Sequence, residues 1–599
     1  MSYVQHLLPK LRFQLPALSL TKADCEKLMS VALKAALPKM HVNRNTARSI
    51  VHGPIILGEM ALPHLNTVQG IDKLHLFLGH LRLQDDTSLL IRIDLTYVQL
   101  ISGTSKFIFN QQYGKYSWIE WGWVTSLWNF VSTTQLTFDY PEMWLPTATR
   151  EGDIFLMEFF ISQCLAPPVL RQLNTCRLYL QVSDIVSANG LYITPEAKAG
   201  HQNPYRISTL EWPVQGRPNK AAWQIWSREL AYLEERGKLI SPLGRRIASS
   251  HQTWNIRCDP TSGSVYIPQG YRYKAITPAI QPTRRVTRAA MRPLYDFSKY
   301  ELVEHINTDS LLDATIEASL SPDLTVCHIN TGYQRISPSP TTPKPCSLPP
   351  FHCHVRSLIP QESLASLKDA SLAGTLVITT DGSYDPITTR ASYSWIFGGP
   401  HQLAKASSSI TNLHRNAYRA ELHGILAALV TVLWMEEAHP YEFRSATLYS
   451  DCQKALKRGL HRGPIGVKDA NQDEYDLILA IRHVYTTLKT TITPLWTPGH
   501  PTKADPRGEQ VKNAKAHALA VSRLHNAQET PHCDSYLERP VITVLHRSVI
   551  ITKGLPQQVI ADIHYEPLKL KILCDTNWTE DDFNTVDWHS LHRAMLKMP

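Results

Sequence analysis

From Ala373 to Asn526, hydrophobic periods of two alternate with periods of 3.6, and this stretch predicts the most structure. The segments TLVITTDGSYD, ASYSWIFGG and QLAKASSSIT are runs rich in β-branched and aromatic residues joined by short turns, which predicts an antiparallel meander of three strands. In AYRAELHGILAALVTVLW, the residues Leu422, Ile425, Leu426, Leu429 and Leu433 recur at helical spacing, so one face of a helix packs on the sheet. ATLYSDCQKAL then reads as a buried strand ending on Asp451, which is also placed to cap the helix that follows.

The flanking regions are read more coarsely. Residues 1–273 are mostly helical in pattern, as in SLTKADCEKLMSVALKAAL and NKAAWQIWSRELAYLEERGKL. Residues 274–372 read as a linker: Arg284, Arg285, Arg288 and Arg292 cluster there, and six prolines fall between Pro338 and Pro350. Residues 527–599 form a small extension with a hairpin at Val541 to Thr552 and two short helical patterns.

Composition narrows the class without deciding it. A 43% hydrophobic content supports ordinary cores in a chain of 599 residues, and a net charge of +9 is compatible with a nucleic-acid partner. The ten cysteines show no CxxC pair or framework spacing, and MSYVQHLLPKLRF lacks the apolar core of a secretory signal. An intracellular, reducing site without disulfides is expected, in nucleus or cytoplasm. The longest apolar stretch, Gly424 to Met435, is too short to span a bilayer, so no membrane role is expected.

Candidate chemistry rests on three acids. Asp381 and Asp451 each end an apolar strand, and Glu421 lies between them, 40 and 30 residues away respectively. Asp381-Gly382 read alone is equally a hairpin turn. Brought together, three carboxylates repel and raise one another's pKa, a conflict that hard divalent cations such as Mg²⁺ resolve. Two such ions about 4 Å apart stabilise both the attacking and the leaving oxygen of a phosphodiester displacement.

TDGSY, YRAELHGILAAL, LYSDCQKAL and WTPGH together resemble type 1 ribonuclease H of the kind attached to reverse transcriptases in retroelements. The resemblance implies an α/β fold with a mixed five-stranded sheet flanked by helices over 373–526. It also implies cleavage of the RNA strand of an RNA/DNA hybrid with two Mg²⁺ or Mn²⁺ ions. Position by position, Asp381, Glu421 and Asp451 match the metal-binding acids, His500 the mobile-loop histidine that assists product release or proton transfer, and Gln453 a hybrid contact. Ser383, Lys454, Lys457 and Arg458 are further candidate nucleic-acid contacts, weighed against a simple solvated face.

One position departs from the family pattern. Its last helix carries a fourth acid in N-x-x-A-D-x-L-A, whereas NAKAHALA keeps Asn513 and places His517 where the acid would stand. His517 is thus a candidate ligand that suits Mn²⁺ or Zn²⁺ better than Mg²⁺, and Asp505 in the preceding loop is a weaker substitute. An inactive nucleic-acid-binding remnant is the alternative reading. An integrase-like enzyme is disfavoured because Thr486 stands where a Glu would be expected.

Segments of the N-terminal region, TVQGIDKLHLFLGHLRL and LNTCRLYLQVSDI among them, resemble the stretch between polymerase and ribonuclease H in large retroelement polyproteins, which implies a reverse-transcriptase polymerase as partner. A polymerase palm itself is not expected, because Asp85-Asp86 lacks the preceding aromatic residue. Trp118, Trp121 and Trp128 are expected to share a helical face in the core. Cys327, His328, Cys346, His352, Cys353 and His354 match no standard zinc spacing.

Overall fold

The computed structural model describes residues 5–244 apart from 6–7, 58–59, 147, 149, 186–190, 202–211 and 214–215; short strands and their flanks between 257 and 328; 350–525 apart from 399–400, 411–414, 441–443, 462 and 500–507; Tyr536; and 542–590 apart from 589. The Arg284 to Arg292 run, His500, Asp505 and the prolines before Pro350 lie outside the described residues.

The N-terminal unit is helical, and its helices begin and end where side chains satisfy the backbone. Thr21 and Asp24 form a capping box at the start of α1 (Lys22–Lys39). After α2 (Leu65–Leu83), Asp85 accepts from the Ser88 N–H at 2.9 Å and starts α3 (Asp86–Ser102), so the Asp85-Asp86 pair has a structural use. Gly103, at φ 64°, ends that helix in the left-handed region that glycine tolerates. Phe77, Trp128, Phe160 and Trp226 fill the core between α2, α4 (Trp123–Val131) and later helices. The expected tryptophan stripe is corrected: Gly122 caps α4, so Trp118 and Trp121 precede the helix and only Trp128 lies on it. Trp118 and Trp128 are buried, whereas Trp121 is exposed and donates its indole N–H to the Ser19 carbonyl.

The helical and linker expectations both fail in part. Val265–Gln269 pairs antiparallel with Arg272–Ile276 inside the region expected to be helical, and Leu294–Asp296, Glu301–Val303 and Val326–His328 are strands inside the expected linker. At the linker's end, α5 (Pro350–Ser357) and α6 (Ser363–Leu372) place Phe351, Val355, Leu364 and Leu367 in the core of the next domain. That core therefore starts near Pro350, not Ala373. The proline-rich composition hid a helix whose first residue is itself a proline, where the missing N–H costs nothing.

The central domain is a mixed five-stranded sheet flanked by helices, as the resemblance implies. Its strands are β1 (Val377–Asp385), β2 (Arg390–Gly398), β3 (Gln402–Ser409), β4 (Ser445–Ser450) and β5 (Thr491–Trp496), in the spatial order β3-β2-β1-β4-β5. β1, β2 and β3 form the antiparallel meander, and β4 runs parallel to both β1 and β5. The long helix α7 (Ala417–Ala438) crosses the sheet and buries Leu422, Ile425, Leu426 and Leu429 completely. α8 (Gln453–Gly459), α9 (Tyr475–Thr487) and α10 (Gly508–His525) complete the layers.

The C-terminal extension is not a separate unit. Thr543–His546 pairs antiparallel with Leu136–Asp139, and Ile542, Val544, Ile551 and Val559 join the N-terminal core. The central domain is thus inserted between two parts of one unit. Arg82 of α2 joins them: its guanidinium lies 3.4 Å from the Tyr475 ring and donates to the Ala470 carbonyl at 3.0 Å. Among the described residues no helix is long and apolar enough to cross a membrane.

Candidate metal centre

The site forms where α7 crosses β1, and Gly382 permits the crossing. Gly382 lies inside strand β1, paired with Tyr393, and not in a hairpin turn. A Cβ there would meet the Ala420 carbonyl carbon and the Glu421 nitrogen, each at 2.4 Å, so only glycine lets helix and strand backbones approach this closely. The Gly382 N–H donates to Glu421 Oε1 at 3.1 Å, which aims that carboxylate at the strand. Asp381 stands one residue earlier and Asp451 directly follows the parallel neighbour β4.

One carboxylate oxygen from each of Asp381, Glu421 and Asp451 lies within 4.8 Å of the others. Asp381 is 2% exposed. Burial first, and then the charge of Asp451, pushes the Asp381 carboxyl up to about 7, against the opposing pull of His517. Burial likewise lifts Glu421 well above the usual carboxylate range, helped by Asp381 and Asp451 and opposed by the Gly382 N–H. Glu421 Oε2 is buried with no hydrogen-bond partner. Three close carboxylates, one of them with a buried oxygen that has no hydrogen-bond partner, are a donor set that fits a hard divalent cation.

His517 reaches the same place. The Ser394 and Ser392 hydroxyls donate to the Ala516 and Ala520 carbonyls, both at 2.7 Å, and lock α10 onto β2. This register sets His517 Nδ1 3.0 Å from Asp381 Oδ2.

The other candidates lie around this cluster. Ser383 shares the face of β1 with Asp381, two residues on. Gln453, Lys454 and Lys457 are exposed on α8, Arg458 is half-buried, and the Lys454 ammonium sits 4.3 Å from the Tyr418 ring. His500 falls outside the described residues, but its neighbour Gly499 packs so close that a Cβ would meet Asp451 Oδ2. Asp451 does not cap α8, whose N-cap is Cys452 without a side-chain bond; its carbonyl instead accepts the Trp496 indole N–H at 2.9 Å. Of the zinc candidates, Cys346 is outside the described residues and His352 is buried, its pKa lowered to about 4 by burial.

Sequence reasoning missed the support beneath the site. Arg419, two residues before Glu421, is 1% exposed and binds Glu474 at 2.6 Å and Asp476 at 3.0 and 2.6 Å. Burial alone would raise the Asp476 carboxyl, yet the Arg419 charge and hydrogen bonds hold it below the usual range. The signal available was the arginine in YRAE, a charge inside an otherwise apolar helix, though no pattern named its partners.

No family model and no curated protein matches the chain. Among solved structures it is similar to ribonuclease H1 of the archaeon Halobacterium salinarum, at 18% identity over 25% of this chain and 98% of that one, with a TM-score of 0.18. It is similar to an N-terminal ribonuclease H domain from Mycobacterium tuberculosis, solved as a fusion with maltose-binding protein, at 16% identity over 25% and 94%, with a TM-score of 0.19. It is also similar to LC11 ribonuclease H1 solved with an RNA/DNA hybrid, at 14% identity over 25% and 97%, with a TM-score of 0.19. The structural neighbours of this chain are thus ribonuclease H1 domains, over a quarter of its length and at low TM-score.

Proposed function

We propose that residues 350–525 act as a divalent-cation-dependent endonuclease on the RNA strand of RNA/DNA hybrids, within a retroelement-derived protein. The observation that carries this reading is the convergence within 4.8 Å of Asp381 on β1, Glu421 on α7 and Asp451 just after β4. These three residues would hold one or two Mg²⁺ or Mn²⁺ ions, which when bound supply Lewis-acid stabilisation of a phosphodiester displacement. The chain's own side chains do the rest. Gly382 fixes Glu421, His517 faces Asp381, and Ser383, Gln453 and Lys454 are placed to orient the hybrid, while His500 would serve product release. RNA is told from DNA by contacts to the 2′-hydroxyl and by the shape of the hybrid groove. The retroelement setting, with a polymerase partner, rests on the motif resemblance.

The test is cleavage of an end-labelled hybrid in Mg²⁺ and in Mn²⁺ by the full chain and by Asp381→Asn. Cleavage to 3′-hydroxyl and 5′-phosphate ends, lost in the variant, is expected; equal absence of cleavage in both proteins overturns the reading. The contact of His517 with Asp381 favours a second reading, a binding remnant without turnover. Cleavage gained by His517→Asp in an otherwise silent protein would support it.

A further inference from the structure

The side of the central domain beyond α8 holds a second polar constellation that the triad does not use. Arg482 of α9 is 5% exposed, and its Nε donates to the Arg458 carbonyl at 2.9 Å. Its Nη1 is buried without a hydrogen-bond acceptor. The nearest carboxylate oxygen, Asp469 Oδ2, lies 3.6 Å away and already accepts the Gly466 N–H at 3.1 Å. Gln472 Nε2 is a second buried donor with no acceptor. Both side chains line one cavity of about 390 Å³, together with Lys457, His461 and Lys468.

Two buried donors without a hydrogen-bond acceptor at one cavity are a defect unless a ligand supplies acceptors, because a buried donor left without a hydrogen bond loses its hydration with nothing in return. Water could satisfy them, but charge decides otherwise: Lys457, Arg458, Lys468 and Arg482 face the single acid Asp469. Guanidinium, amide and ammonium donors around a pocket match the oxygens of a phosphate group. We propose that this cavity is a phosphate-binding pocket, separate from the metal triad, in which Arg482 and Gln472 form the floor and Lys457 and Lys468 the rim. The phosphate belongs either to the backbone of a bound nucleic acid or to a free anion. The first source rests on the nuclease reading above. About 9 Å of helix separates Gln453, next to the triad, from Gly459 beside the pocket, so one strand could touch both.

The experiment uses the full chain, Gln472→Glu and Lys468→Glu. Inorganic pyrophosphate at matched ionic strength is expected to raise the wild-type melting temperature saturably and to leave both variants unmoved. Gln472→Glu adds a negative charge to the lining that Arg482 shares, so it should abolish the pyrophosphate response by repelling the anion while leaving the fold intact. If the source is nucleic acid, hybrid affinity in EDTA falls three- to tenfold in Lys468→Glu and the salt slope drops by about one. Hybrid affinity unchanged with the pyrophosphate response lost identifies a free-anion site. A wild type that binds pyrophosphate but no hybrid overturns the nuclease reading and leaves the pocket standing. Identical responses of wild type and variants to both probes overturn the pocket.

Discussion

At the scale of single residues, protonation of the acidic cluster is the first consequence to measure. Asp381 has its carboxyl raised to about 7, above the roughly 3.9 of an unfolded chain, so the folded state binds more protons in between. The contribution of Asp381 to the stability of the metal-free protein is therefore full below about pH 4 and declines as pH rises through 7. In EDTA the melting temperature of the wild type relative to Asp381→Asn should fall over that window, and Mg²⁺ or Mn²⁺ should restore the wild type at pH 7.5. A difference between the two proteins that does not change with pH in EDTA would mean the carboxylates do not crowd one another. His517 gives a second prediction. An imidazole nitrogen beside Asp381 favours Mn²⁺ over Mg²⁺, so His517→Asp should lower the ratio of Mg²⁺ to Mn²⁺ dissociation constants in calorimetry.

At the scale of elements, the site depends on how closely α7 lies on β1. Gly382→Ala would drive a methyl group into backbone atoms at 2.4 Å that no rotamer change can move. A loss of about 1–3 kcal/mol or more is expected in urea unfolding, with weakened cation binding. Beneath the helix, Arg419→Ala would leave the buried Glu474 and the half-buried Asp476 without their cation, which predicts a loss of about 3–5 kcal/mol. Adding Glu474→Gln and Asp476→Asn should recover part of that loss; an additive triple variant would show that the charges are not coupled. These elements were largely legible in the sequence. The three meander strands and α7 follow from their periods, whereas α5 escaped notice because the five prolines before it and the one that starts it resembled linker.

At the scale of the whole molecule, segments before and after the central domain bind each other. Truncation after residue 540 removes the strand Thr543–His546 from its partner Leu136–Asp139 and takes Ile542, Val544, Ile551 and Val559 out of the N-terminal core. At about 1.5–3 kcal/mol per buried aliphatic side chain, the N-terminal unit should open, and trypsin should cut within 1–180 while 350–525 resists. Equal resistance of both parts would contradict this arrangement. Acid should act on the same assembly. Burial lowers His64 and His423 to about 3 and His564 to about 4, so these imidazoles stay neutral in the fold. The unfolded chain takes up their protons first, and stability should decline as pH falls below about 6.5.

The sequence by itself determined the meander strands, the strand before Asp451, the long helix and the residue types of three acids and one histidine, because periodicity and residue type are local properties. Only the tertiary structure decided that Asp381-Gly382 is a strand crossed by a helix, that Arg419 rests on Glu474 and Asp476, and that residues after 540 complete the N-terminal core. Each of those facts is a contact between segments distant along the chain, where close approach, burial and charge pairing leave no periodic trace.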